Sequence, residues 1–139
     1  AELYKASAAG VKIDLIIRGV CALKPGVKGL SENIRVRSII GRFLEHHRIY
    51  YFYANGAQTL YLSSADWMDR NLFRRVEVAF PVLDPKLKAR VIREGFSMLL
   101  KDNATAWLMT GDGAYAQSKT RSNSKPHIGQ AELVKLLTN

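Results

Sequence analysis

Val11-Lys12-Ile13-Asp14-Leu15-Ile16-Ile17-Arg18-Gly19 is the stretch on which the fold turns. Val11, Ile13, Leu15 and Ile17 share one face of an extended chain, with Ile16 and Arg18 on the other, which is the two-residue period of a strand. Before it, residues 2–9 are patterned as a short helix that packs Leu3 inward and stops at Gly10. A helix leading into an apolar strand is the rhythm of an α/β sheet, so the expected class is α/β.

Working outward, Pro25, Gly26 and Gly29 make residues 21–33 a loop carrying Lys24 and Lys28. Residues 34–39 read as a second strand, with Arg35 and Arg37 alternating against Ile34 and Val36. Residues 48–53 and 58–62 form a hairpin about Asn55-Gly56, because a two-residue type I′ turn needs positive φ at both central positions. That register sets Tyr53 against Gln58 and Arg48 against Ser63, and its continuation brings His46 and His47 alongside Ser64 and Ala65, next to Asp66. Residues 75–82 are a further strand. Asp84-Pro85 opens a long helix with an N-cap acid and a first-turn proline, and Leu87, Val91, Ile92, Phe96, Leu99 and Leu100 form its buried stripe. A short strand over 105–109, a loop over 111–124 and a helix over 130–137 complete the chain.

The chain has 139 residues, and 47% are hydrophobic, a globular composition sized for one domain. Its 21 Lys and Arg outnumber 12 acidic residues, for a net charge of +9. Such a surface attracts polyanions, whether nucleic acid, anionic lipid, nucleotide or polyphosphate, though charge alone also serves solubility. Cys21 is the single cysteine, which rules out an intrachain disulfide and a cysteine metal cluster and suits a reducing, cytoplasmic setting. No run is long enough for a transmembrane helix, while association with a membrane surface stays open. A start at Ala1 on helical pattern, without methionine, reads as a piece cut from a larger protein.

Chemistry gathers near the hairpin base. His46 can move a proton or accept a phosphoryl group on a ring nitrogen, and Arg48 could hold that group while the imidazole acts. Against this, His46 and His47 could be ordinary exposed residues at a strand start. Arg18 ends a strand just before Gly19, where ligands of open α/β sheets gather, or it is simply a solvated arginine. Ser63, Ser64 and Asp66 could bind phosphate or orient the histidine, or Ser64 or Asp66 could cap a short helix through Trp67 and Met68. Arg35, Arg37 and Arg42 could form a phosphate-binding strip or be solvated. Tyr50, Tyr51, Phe52 and Tyr53 suggest base stacking, but a hairpin this dense in aromatics splits them between core and surface. No Walker loop, GxGxxG fingerprint or zinc spacing is present.

The segments Lys12-Ile13-Asp14-Leu15-Ile16-Ile17-Arg18-Gly19-Val20-Cys21, Ser31-Glu32-Asn33-Ile34-Arg35-Val36-Arg37-Ser38-Ile39, Gly41-Arg42-Phe43-Leu44-Glu45-His46, Leu62-Ser63-Ser64-Ala65-Asp66-Trp67-Met68 and Pro81-Val82-Leu83-Asp84-Pro85 closely resemble the bacterial polyphosphate kinase family, in the same order and across nearly the whole chain. The resemblance is to the last domain, the second of two phospholipase D-like domains. It implies a phospholipase D-like mixed β-sheet flanked by helices, with residues 1–139 as one domain of a larger chain.

It further implies reversible transfer of the terminal phosphate of ATP to inorganic polyphosphate, with magnesium and a phosphohistidine. Arg18 and His46 fall on nucleotide- and phosphate-contacting positions, and His46 is the catalytic candidate. The phosphorylated histidine, the magnesium ligands and an adenine-stacking tyrosine would lie in the preceding domain, so this stretch would be half of a composite site and inactive alone. Supporting roles would fall to Arg48, Ser63, Ser64, Asp66, Arg35 and Arg37, with Lys24 and Arg42 adding to a surface that guides the polyphosphate. The implied partners are ATP or ADP, polyphosphate, the rest of the kinase chain and further copies in a homo-oligomer, with no specific nucleic acid.

The wider phospholipase D pattern is only partly kept. Arg48 replaces its lysine, Tyr53 stands where its aspartate is expected, and Ser63-Ser64-Ala65-Asp66 replaces Gly-Ser-x-Asn. Two other readings remain: a phospholipase D-like phosphodiesterase or nuclease half-site, disfavoured by the missing Lys and Asp, and a non-catalytic polyanion-binding module.

Overall fold

The computed structural model describes residues 1–138. They form two compact units, one of residues 1–45 with those from 99 onward, the other of residues 46–98.

The first unit opens with α1 (Glu2–Ala8). Gly10, at φ +89°, turns the chain out of it, a conformation that glycine adopts without strain. β1 (Ile13–Ile16) then pairs in parallel with β2 (Ile34–Ser38), setting Asp14 beside Arg35 and Leu15 beside Val36. The loop between them is pinned rather than slack: Ser31 Oγ donates to the Lys24 carbonyl at 2.5 Å and accepts from Val27 N at 3.0 Å. β6 (Trp107–Met109) joins β2 antiparallel, and β7 (Tyr115–Gln117) joins β6 antiparallel, giving a mixed sheet in the order β1-β2-β6-β7. As an interior strand, β2 buries Ile34, Val36 and Ser38 and leaves Arg35 exposed, in line with its alternation. Ile39, Leu99 and Ala106 form the core, with Ile16 and Leu133 of α5 (Gly129–Thr138) packed against them.

In the second unit β3 (Ile49–Ala54), β4 (Ala57–Ser63) and β5 (Ala79–Pro81) make an antiparallel sheet in that order. The turn is the one the sequence predicts: Asn55 has φ 47° and Gly56 has φ 84°, and Tyr53 pairs with Gln58. A single turn, α2 (Asp69–Leu72), lies between β4 and β5. Asp84 Oδ1 accepts from Leu87 N at 2.8 Å and opens α3 (Pro85–Ile92), with proline in its first turn as expected.

The α/β class is observed, and the structure refines its details. The strands divide between two sheets. The expected strand over 75–82 shrinks to β5, and the expected loop over 111–124 contains β7. The long helix becomes α3, a π-helical turn over Arg93–Ser97, and α4 (Met98–Leu100). Buried Gly95 lies in that turn, where a Cβ would collide with Ile49 Cδ1, so the missing side chain is what lets helix and strand approach. Leu87, expected in the buried stripe, is 56% exposed.

Candidate phosphate-handling site

Arg18 follows β1 in a bend, after Ile17 N has made the last ladder bond to Arg37 O at 2.8 Å. Its guanidinium donates from NH1 to the backbone carbonyl of Glu45 at 3.1 Å. That carbonyl belongs to an irregular segment, residues 41–45, which owes its path to Gln130 at the start of α5. Gln130 is 6% exposed, accepts from Phe43 N at 3.0 Å, and donates from Nε2 to Phe43 O at 2.7 Å and Glu45 Oε1 at 2.8 Å. Both ends of one amide thus satisfy a backbone that has no sheet partner. Gly41 completes the fit, since a Cβ there would come within 2.5 Å of Gln130 Oε1.

In the second unit the hairpin register delivers Arg48 opposite Ser63, with Ser63 N donating to Arg48 O at 3.0 Å. Arg48 Nε and NH2 both reach Asp66 Oδ1 at 2.9 Å. Arg48 NH2 also lies 3.1 Å from His46 Nε2. A guanidinium has no lone pair to offer, so this is a hydrogen bond only when Nε2 of His46 is unprotonated and the ring hydrogen sits on Nδ1. The arrangement is a relay of carboxylate, guanidinium and imidazole, in which Asp66 fixes Arg48 and Arg48 fixes one tautomer of His46.

The serines serve a different neighbour. Ser63 Oγ accepts from Ala65 N at 3.1 Å and donates to Val78 O at 3.2 Å. The β3–β4 ladder ends there, because Ser64 turns to the segment before β5: its N donates to Val78 O, its Oγ accepts from Val78 N, and its hydroxyl donates to Glu77. Asn71 Nδ2 donates to the other Glu77 oxygen at 2.9 Å, and the bonds from Ser64 and Asn71 hold the Glu77 carboxyl below the usual carboxylate range. Neither Ser64 nor Asp66 caps a helix through Trp67 and Met68. The helical turn starts later, with Met68 at its N-cap position and no side-chain cap.

The arginines expected to form one strip have separate engagements. Arg35 pairs with Asp14 through Nε at 2.9 Å and NH2 at 3.1 Å, across the parallel register. Arg37 is half-buried and donates from NH1 to the carbonyls of Leu100 at 2.7 Å and Leu99 at 3.3 Å. Arg42 lies over the Phe43 ring, 5.7 Å from its centroid. The aromatic run divides as expected: Tyr50 packs edge-on against Trp67 at 5.4 Å and Tyr51 against Phe96, while Phe52 and Tyr53 are exposed. Burial pushes the Tyr50 hydroxyl up from its ordinary value.

Sequence reasoning missed Gln130, Glu77 and Asp102. Asp102 is 4% exposed and organises the turn after α4. Its Oδ1 accepts from the backbone of Ala104, Thr105 and Ala106, and its Oδ2 from Thr105 Oγ1 and Gly129 N. Burial raises its pKa, but these donors outweigh it and hold the carboxyl below the usual range. The Asp-x-x-Thr spacing was a visible turn signal; the reach to Gly129 was not.

Among the described residues no group of three or more His, Cys, Asp or Glu side chains could hold a metal ion. The side chains around His46 are an imidazole, a guanidinium and a carboxylate already bonded to that guanidinium, which do not make the oxygen-rich shell magnesium prefers. No described helix is long and apolar enough to cross a membrane.

A family profile described as "Polyphosphate kinase C-terminal domain 2" matches residues 1–130. A polyphosphate kinase of Burkholderia lata is 74% identical over 119 residues, covering 86% of this chain and 17% of that protein. One from Paraburkholderia phytofirmans is 66% identical over 125 residues, 90% of this chain and 18% of that protein. The crystal structure of polyphosphate kinase from Porphyromonas gingivalis superposes with a TM-score of 0.91 at 42% identity, over 99% of this chain and 21% of that one. The chain thus spans about a fifth of the length of the relatives it matches.

Proposed function

Because this chain belongs to the polyphosphate kinase family and carries its C-terminal domain, a phospholipase D-like α/β fold, we propose that it supplies phosphate-handling residues for reversible transfer of the terminal phosphate of ATP to inorganic polyphosphate. Phosphoryl transfer passes through a loose transition state with charge spread over the transferring group's oxygens, so positioning and charge neutralisation do most of the work. In this reading Arg18 holds terminal phosphate oxygens with its planar fork, and His46 contacts the transferring phosphoryl group through its Nδ1–H, the ring nitrogen that Arg48 leaves free. Arg48 and Asp66 are positioning residues. Ser63 and Ser64 act through the Val78 backbone and the Glu77 carboxylate that they bond, and Arg35 and Arg37 add positive field.

The observation that carries the reading is the Asp66–Arg48–His46 relay, which sets a cation held by a carboxylate beside an imidazole whose Nε2 faces it. The phosphorylated histidine and the magnesium ligands belong, in this proposal, to other parts of a cytoplasmic, homo-oligomeric enzyme. A phosphodiesterase would call for the lysine that Arg48 replaces and the aspartate that Tyr53 replaces, and Tyr53 is an exposed residue beside the hairpin turn.

The test is polyphosphate synthesis from ATP by the full-length enzyme. Arg18→Ala and His46→Ala are each expected to lower it by about a hundredfold or more, with an unchanged unfolding midpoint. Near-normal synthesis by either variant overturns that residue's role.

A further inference from the structure

A cleft of about 370 Å³ opens in the first unit where the turn after α4 meets the chain that leaves β7. Its volume lies at the small end of ligand pockets, which run from roughly 300 to 1,000 Å³. Four cations line it, Arg37, Lys101, Lys119 and Arg121, together with the hydroxyls of Ser118 and Ser124. The one carboxylate in the wall, Asp102, is committed to three backbone N–H groups on Oδ1 and to Thr105 and Gly129 on Oδ2. Among the described residues no ion pair links Lys101, Lys119 or Arg121 to an acid. Asp102 offsets one of the four positive charges, and the remaining like charges cost stability unless an anion supplies the missing charge.

The ligand class follows from what the wall offers. Cations and hydroxyl donors suit phosphate oxygens. No aromatic side chain lines the cleft, so it has no platform on which a base could stack. Arg37 is held in place by the carbonyls of Leu99 and Leu100, which gives the cleft one fixed cation, while Lys101, Lys119 and Arg121 are long side chains exposed to solvent. One fixed and three adaptable charges suit an anion that carries charge along its length more than a single compact one.

We propose that this cleft is a binding site for a condensed inorganic phosphate chain, separate from Arg18 and His46, that holds polyphosphate by several contiguous phosphates. The identification of the anion as polyphosphate rests on the function proposed above; the anion site itself rests on the cleft.

The test titrates sodium tripolyphosphate into the full-length protein by calorimetry at two salt concentrations, in a background of Arg18→Ala with His46→Ala. Lys119→Ala with Arg121→Ala is the variant of choice, since both side chains are exposed and Arg37 is structural. Added to that background, it is expected to weaken tripolyphosphate binding by about tenfold or more and to make the affinity less steeply dependent on salt. Unchanged affinity and salt dependence would overturn the cleft. A single-stranded oligonucleotide of matched charge that binds as tightly, and loses as much on the same substitutions, would overturn the assignment to condensed phosphate. The catalytic reading fails by a different result, persistent synthesis in Arg18→Ala or His46→Ala, so the two failures are distinguishable.

Discussion

Arg48 meets Asp66 with two of its nitrogens, Nε and NH2, both 2.9 Å from the same carboxylate oxygen, Oδ1. The pair is partly screened from water, with side-chain exposures of 21% and 27%, and NH2 also reaches the imidazole of His46. An arginine held on one side by a carboxylate has fewer ways to turn, and the histidine it bonds inherits that order.

Replacing Arg48 with alanine should cost about 1–2 kcal/mol, between the value of an exposed ion pair and that of a buried one. Asp66→Asn should cost less, because the amide keeps an oxygen that can still accept from Arg48 even though the guanidinium loses its counter-charge. Urea denaturation of both variants decides the order, and an Asp66→Asn variant less stable than Arg48→Ala would contradict it.

Gln130 is the clamp on the segment that leads to His46. Gln130→Ala removes the partner of Phe43 N and Phe43 O in a part-buried setting and should cost about 1–2 kcal/mol. In the full-length enzyme it should also lower activity by more than its effect on the folded fraction explains. Equal activity per folded molecule would show that the path of residues 41–45 does not matter to the site.

Gly95 and Ile49 make a pair for a double-mutant cycle. Gly95→Ala drives a methyl group into Ile49 Cδ1 and should cost about 1–3 kcal/mol from overpacking. Ile49→Val deletes that Cδ1 and should recover part of the loss in the double variant, giving a coupling of about 0.5 kcal/mol or more. Strict additivity would place the strain elsewhere in the π-helical turn.

Acid should act through Asp102. Its folded carboxyl is held below its ordinary value, so its stabilisation is full above the unfolded pKa near 3.8 and is lost as pH falls through the folded one. Asp102→Asn should cost about 2–4 kcal/mol at neutral pH, since one amide oxygen cannot serve five donors. The variant should also lose less stability than the wild type between about pH 4 and pH 2. Parallel acid-denaturation curves would show that another carboxylate governs the limb.

Much of the fold is set by interactions between residues close in the chain, and these were legible. Asn55-Gly56 specifies its turn because only certain residues tolerate two positive φ values, and the turn in its turn sets Arg48 against Ser63. Asp84-Pro85 starts α3 because the cap bond spans three residues. The alternation of Ile34, Arg35, Val36 and Arg37 reports a half-buried strand directly. The quoted motifs were equally readable, and they carried the family.

Tertiary structure decided what depends on partners distant in sequence. Gln130 reaches residues 43 and 45, Asp102 reaches Gly129, Arg37 reaches the end of α4, and Ser64 meets Glu77 rather than continuing the ladder beside His47. β7 was hidden because Tyr115–Gln117 is too short to show a period and exists only by pairing with β6. The same cause split the strands into two sheets and scattered the expected arginine strip among Asp14, two carbonyls and a phenyl ring. A local pattern determines which way a side chain faces along its own element, while what it faces is determined by whichever distant segment needs its hydrogen bonds or charge satisfied.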